Sequence, residues 1–120
     1  MFLEIPFDKA GRRAHLRDME IDHIASRLEA LGNPTRLEIY RHLVRAGASG
    51  LAVGDLHERT GVPRSTLSHH LHKLIAVDLV NQERQGTTLI CRADFAVMHA
   101  TMGFLERECC VEAACRADAA

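Results

Sequence analysis

Gly61-Val62-Pro63-Arg64-Ser65-Thr66-Leu67-Ser68-His69-His70-Leu71-His72-Lys73-Leu74-Ile75-Ala76-Val77 reads as a turn followed by a helix with two unlike faces. Leu67, Leu71, Leu74 and Ile75 fall at i, i+4, i+7 and i+8, the spacing of one buried helical stripe. At about 100° per residue the opposite side carries Ser65, Thr66, His69, His72 and Lys73, with Arg64 in the first turn. Between Arg59 and Val77 there is no Asp or Glu, although the whole chain holds 15 basic and 16 acidic residues. Local exclusion of carboxylates is what a surface needs if it is to accept phosphates and base edges.

Upstream, Ile21, Ile24, Leu28 and Leu31 form one helical stripe that Gly32 ends. Asn33 is expected to cap the next helix, with Pro34 at its first position, where a missing N–H costs nothing. Leu37, Tyr40, Leu43 and Val44 are the expected inner face of that helix, and Gly47 and Gly50 close it. A short helix over Asp55–Thr60 follows, with Val53 and Leu56 turned inward, and Gly61 makes the turn into the helix quoted first. Short helix, glycine turn and second helix with a polar outer face define a helix-turn-helix.

Downstream the period changes. Leu79–Arg84 and Thr87–Arg92 read as two strands around Gln85-Gly86, a hairpin in the position of a wing, with Arg84 near its tip as a phosphate contact. From Asp94, a helix cap, Phe95, Met98, Met102 and Leu105 resume the helical stripe. The predicted fold is therefore mainly α with a small β-hairpin, a winged helix-turn-helix. Helices near residues 21–31 and 94–108 carry more apolar surface than one small domain covers, so they are expected to pair across a two-fold axis. The expected organisation is an N-terminal arm over 1–20, the domain with its dimerisation helices over 21–108, and a thiol-containing tail over 109–120.

Composition sets the bounds. With 120 residues, 47% hydrophobic and 26% charged, the chain makes one domain with a modest core. Aromatic content of 4% and the absence of Trp favour a helical core over a sandwich. No apolar run exceeds four residues, and Glu4 and Asp8 break up the first residues, so neither a membrane span nor a secretory signal is expected. A cytoplasmic location follows as an expectation, in which Cys91, Cys109, Cys110 and Cys115 are thiols. A net charge of −1 restricts nucleic-acid binding to a localised patch.

Four phrases taken together, Ala30-Leu31-Gly32-Asn33-Pro34-Thr35-Arg36-Leu37, Val53-Gly54-Asp55-Leu56, Ser65-Thr66-Leu67-Ser68-His69-His70-Leu71 and the wing, resemble the ArsR-type metalloregulatory repressors of bacteria over residues 24–108. The resemblance implies a winged-helix homodimer that sits on an inverted-repeat operator in double-stranded DNA and leaves it when a toxic metal or metalloid binds. It places the recognition helix on residues 64–75, with Arg64, Ser65, Thr66, Ser68, His69, His72 and Lys73 as its DNA-facing residues and His70 and Leu71 holding it to the core. Pro63 departs from the family pattern, where a Ser or similar cap is usual, but suits a helix start. The Cys-x-Cys of the best-known arsenical sensors is absent, since the matching stretch is Val53-Gly54-Asp55. The zinc pattern is also absent: Asp94 lacks a His two residues on, and no His follows His99. Cadmium and lead sensors take thiols from the N-terminal arm, yet no Cys precedes Cys91. What remains, Cys109, Cys110 and Cys115, resembles arsenical sensors with a C-terminal three-cysteine site.

Three thiolates suit a soft, thiophilic ion, and trivalent arsenic or antimony, As(III) or Sb(III), takes three sulfurs in a pyramidal site. On a continuous helix Cys110 and Cys115 would stand about 7.5 Å apart along the axis and Cys109 and Cys115 about 9 Å, too far to share one atom. The helix is expected to end or bend near Cys110 on binding, with a third thiol from a second subunit as the other solution. Cys110 to Arg116 formally matches the Cys-x5-Arg anion loop of small phosphatases, but that loop needs small turn-forming residues, and the spacer here is Val-Glu-Ala-Ala-Cys with Glu112 repelling an anion. No enzyme activity is expected. The sequence thus points to a repressor released by As(III) or Sb(III), and the alternative is a thiol redox or persulfide-responsive regulator with the same DNA-binding half.

Overall fold

The computed structural model describes residues 16–113. Residues 1–15, most of the expected arm, and Cys115 lie outside the described residues. The elements run α1 (Leu16–Leu31), α2 (Pro34–Ala46), a 3-10 turn (Gly47–Ser49), β1 (Leu51–Ala52), α3 (Val53–Thr60), α4 (Arg64–Ala76), β2 (Val80–Gln85), β3 (Thr88–Ala93) and α5 (Phe95–Glu108). Helix α1 thus begins five residues before the stripe that starts at Ile21. Strand β1 is additional to the expected hairpin: it pairs antiparallel with β3 through Leu51↔Cys91 and Ala52↔Ile90, giving a three-stranded sheet in the order β1-β3-β2. Two residues are too short a run for strand periodicity to register.

The caps form as their chemistry dictates. Asn33 Oδ1 accepts from the Arg36 N–H at 3.0 Å with Pro34 at the head of α2, and Asp94 Oδ1 accepts from the Val97 N–H at 3.1 Å. Pro63 occupies the cap position of α4 itself, so that helix has no side-chain cap. Between α3 and α4, Gly61 takes φ 69° and its N–H bonds the His57 carbonyl at 2.9 Å. The turn is held further by His57 Nδ1, which donates to the Val62 carbonyl at 2.7 Å, and by the Thr60 hydroxyl, which donates to the Leu56 carbonyl at 2.6 Å. Gly50 is required for a different reason: with φ 66° it passes so close to β3 that a Cβ would stand 2.4 Å from the Cys91 carbonyl oxygen.

Ile39, Leu43, Leu56, Leu67, Leu71, Leu74, Leu79 and Cys91 are fully buried and make the centre of the core. The α4 stripe is therefore inside as its spacing predicts, with Ile75 half-buried at its edge. Helix α2 differs from expectation. Its apolar residues span an arc of about 160°, and the core takes the side centred on Ile39, Tyr40 and Leu43, leaving Leu37 at the far edge 51% exposed. The wing also shifts by one residue: Gln85 pairs with Thr88, so the two-residue turn is Gly86-Thr87 with Gly86 at φ 64°, the left-handed first position that a type II′ turn demands. Among the described residues no helix is long and apolar enough to cross a membrane.

Helix α4 ends in a Schellman arrangement, with the Leu79 N–H on the Leu74 carbonyl and the Asp78 N–H on the Ile75 carbonyl. The residue in the left-handed position is Asp78, at φ 65°, where glycine is the unstrained choice, and its place just past the C-cap sets an acidic residue at the negative end of the helix dipole. Asp78→Gly should therefore stabilise the fold by about 0.5–1 kcal/mol. A rise in Tm of a few degrees by calorimetry is the expected reading, and a fall would mean that the Asp78 side chain makes a contribution larger than its backbone strain.

Candidate nucleic-acid interface and thiol turn

Because Leu67, Leu71 and Leu74 face inward, the opposite arc of α4 faces out. Arg64, Ser65, Thr66, Ser68, His69, His72 and Lys73 are all exposed and lie on one continuous surface. Arg84 is exposed on β2, one residue from the end of the strand at the wing tip. Among the described residues none of Arg64, Lys73 and Arg84 is paired with a carboxylate, whereas Arg41, Arg92 and Arg107 are. Arg64 stands at a helix start without a side-chain cap, where the donors present suit a phosphate. An open groove of about 360 Å³ lies between the start of α3, the start of α4 and the wing, lined by Gly54, Asp55, Arg64, Thr87, Thr88 and Leu89 among others. The groove brings the wing turn beside Arg64. Thr87 and Thr88 are hydroxyl donors that the sequence did not single out, since their register depends on where the hairpin turns.

His70 is the one imidazole of α4 turned toward the body of the domain. Arg36 Nη1 lies 3.3 Å from its Nδ1, and because a guanidinium only donates, Nδ1 accepts and the ring proton sits on Nε2. The same Arg36 donates through Nε to the Ala30 carbonyl at 2.8 Å. The Asn33-Pro34-Thr35-Arg36 phrase thus both starts α2 and fastens α4 to the end of α1. Burial first, then the Arg36 charge, then His69, hold the His70 pKa below its ordinary 6.5.

Helix α5 stops at Glu108. Cys109 is its C-cap residue with an extended ψ of 119°, and Cys110 takes the left-handed φ of 61°. Both thiols are exposed, and their sulfurs stand 3.5 Å apart. The expected helix end at the cysteines is therefore built into the chain rather than conditional on an ion, and it comes one residue before the first thiol. Among the described residues no three metal-ligating side chains converge. Cys91 is fully buried in β3, takes a hydrogen bond from Gln82 at 3.4 Å, and its pKa is raised by burial, as suits a packed thiol rather than a ligand.

A recognition helix packed by its leucines, a glycine turn before it and an antiparallel wing after it define a winged helix-turn-helix of the kind that binds DNA. Residues 31–83 match a family model described as a helix-turn-helix domain. The chain is 42% identical over 62 residues to the nodulation protein NolR of Rhizobium meliloti, a segment that makes up 52% of this chain and 48% of that protein. It is 37% identical over 60 residues to the putative arsenical resistance operon repressor ArsR2 of Halobacterium salinarum, covering 50% of each. The chain thus spans about half the length of these curated relatives. Among solved structures, an ArsR-like transcriptional regulator from Rhodococcus sp. RHA1 superposes with a TM-score of 0.64 at 32% identity, covering 73% of this chain and 80% of that one. The chain belongs to the ArsR family of winged-helix transcriptional regulators, whose members act on DNA rather than as enzymes.

The burial of His70, with Arg36 beside it, sets a pH dependence. A His whose folded pKa is lowered binds its proton more weakly than the unfolded chain does, so the stability it contributes is full above about pH 7 and drains away as pH falls through 6.5 toward the folded value. His70→Gln should flatten the loss of stability between about pH 7 and about pH 5, measured by urea unfolding at stepped pH. An unchanged slope would mean that other groups carry the acid sensitivity.

Proposed function

We propose that the protein is a transcriptional repressor that binds operator DNA as a homodimer and is released when As(III) or Sb(III) is held by the thiolates of Cys109, Cys110 and Cys115. The observation that carries the DNA half is the outer face of α4, exposed and free of carboxylates, while its inner face is sealed in the core. Arg64, Ser65, Thr66, Ser68, His69, His72 and Lys73 read or grip the major groove, and Arg84 meets the backbone from the wing. Dimerisation is supported by α1 and α5, which pack on each other and still expose Ile21 (51%), Leu28 (42%), Met102 (45%) and Leu105 (67%). Large apolar side chains clustered on two adjoining helices are a surface that water does not favour. A two-fold pair presents two recognition helices, and an inverted repeat matches that symmetry.

The inducer half is supported by the Cys109 and Cys110 sulfurs, which at 3.5 Å are spaced for one atom to bridge them, and by the likeness to ArsR2, named as a putative arsenical resistance operon repressor. Each thiol gives its proton to a hydroxide of the trivalent arsenic species, water leaves, and an arsenic–sulfur bond replaces an arsenic–oxygen bond. Glu108 and Glu112 flank the turn and disfavour an anion such as arsenate, whereas neutral trivalent arsenic hydroxide approaches without that cost. Linkage requires DNA to weaken arsenic binding by the factor with which arsenic weakens DNA binding, typically about 1–3 kcal/mol.

The test is fluorescence anisotropy of a duplex selected by the reduced protein from a random-sequence pool, titrated in parallel with arsenite, zinc and an oxidant. Release by micromolar arsenite alone is the expected result; release by the oxidant alone would transfer the same thiols to redox sensing. Arg64→Ala should weaken the duplex complex by about 1–3 kcal/mol while arsenite still binds. Equal loss of both activities would show that the two sites are not separate. Cys109→Ser should bind the duplex and ignore arsenite, and release at wild-type concentrations would remove Cys109 from the site.

A further inference from the structure

We propose that Arg27 and Arg36 are positioning residues that couple the thiol turn to the recognition helix through α1, an inference that rests on the repressor function above. The route follows from who touches whom. Helix α5 ends at the thiols and packs within the protomer chiefly on α1, and α1 packs in turn on α4. On the thiol side, Arg107, two residues before Cys109, reaches Glu20 of α1 at 3.6 Å. On the DNA side, α1 is fastened to α4 at two separate points. Arg27 Nε donates to the carbonyl of Val77, the C-cap residue of α4, at 3.1 Å. Arg36 Nε donates to the Ala30 carbonyl near the end of α1, and its Nη1 donates to His70 in the middle of α4.

One bond between two helices leaves a pivot, but a second bond, three residues on along α1 and seven residues away along α4, removes it. Both attachments are partly buried and both are directional, so they hold or break rather than stretch. A displacement at residues 109–113 that shifts the end of α5 therefore shifts α1, and α1 moves only by carrying α4 with it or by breaking these bonds. Either result changes the tilt at which Arg64 and its neighbours meet DNA. The thiol turn itself makes no such attachment to α4 among the described residues, which leaves α1 as the intervening body. Coupling between sites requires a connected element of this kind whose state both ligands bias.

Arg27→Met keeps the apolar stem and deletes the donor. With the selected duplex and arsenite as probes, the reduced variant should bind the duplex within about threefold of wild type, and arsenite should protect the same number of thiols from alkylation. The arsenite-induced loss of DNA affinity, typically about 5–150-fold for such coupling, should shrink by about fivefold or more. Arg27→Lys, which keeps a donor able to reach the Val77 carbonyl, should restore most of the coupling, which a merely structural role would not require. Glu20→Gln alters only an exposed pair and cannot be dismissed as misfolding; it should reduce coupling in the same direction, and the double variant with Arg27→Met should lose no more than Arg27→Met alone. Wild-type coupling in Arg27→Met and in Glu20→Gln would overturn the relay and leave the sensor intact. Failure of arsenite to release the wild-type protein would overturn the metalloid function and the relay together.

Discussion

Burial of Leu67, Leu71 and Leu74 is the constraint on which the rest of the structure depends. Three leucines at helical spacing leave α4 one possible orientation, and that orientation turns every serine, threonine, histidine and lysine of the opposite arc to solvent. The core around them is assembled from every side: Ile39 and Leu43 from α2, Leu56 from α3, Leu79 from the turn before β2 and Cys91 from β3. Removing the side chain of a leucine at such a site costs about 2–5 kcal/mol, a large share of the stability of a domain this small. The surface chemistry of α4 is thus inseparable from its packing, because the same rotation that buries one arc exposes the other.

The polar attachments refine that orientation. Leucine packing fixes which face is inside but resists sliding along the helix axis less well than a directional bond does. Arg36 adds two such bonds, to the Ala30 carbonyl and to the His70 ring, and Arg27 adds a third at the Val77 carbonyl. All three use acceptors that would otherwise be part-buried and short of a partner: carbonyls in the last turns of α1 and α4, and an imidazole nitrogen held neutral by its surroundings. Arginine suits the task, since its charge persists at every relevant pH and its donors point along fixed directions.

Much of this was legible in the sequence, and for stated reasons. The α4 stripe, the Asn33 and Asp94 caps and the Gly61 turn are local, so residue type and spacing within one or two turns suffice. The exposed arc of α4 followed directly from its buried one. Leu37 was misread because five apolar residues of α2 are shared by two overlapping stripes, and only the neighbours decide which stripe the core accepts. Strand β1 was missed because its pairing partner is about forty residues away and its length carries no period. The place of Arg36 beside His70 was equally out of reach, as two residues thirty-four apart meet only once three helices have packed. The thiols were visible as residue types, whereas the left-handed backbone at Cys110 that brings its sulfur next to that of Cys109 was not.

The sheet order has a consequence for how this molecule behaves in a crowded cell. Strand β2 lies at the edge of the β1-β3-β2 sheet, with one row of backbone donors and acceptors open to any extended chain that drifts by. Its residues from Asn81 to Gln85 are all exposed and include the charged Glu83 and Arg84, with no apolar side chain for a second strand to cover. Stacking of copies through this edge would strip water from those charges without burying any apolar side chain in return. A hairpin edge is an aggregation hazard in most proteins, and the hydrophilic residues along this one oppose such pairing.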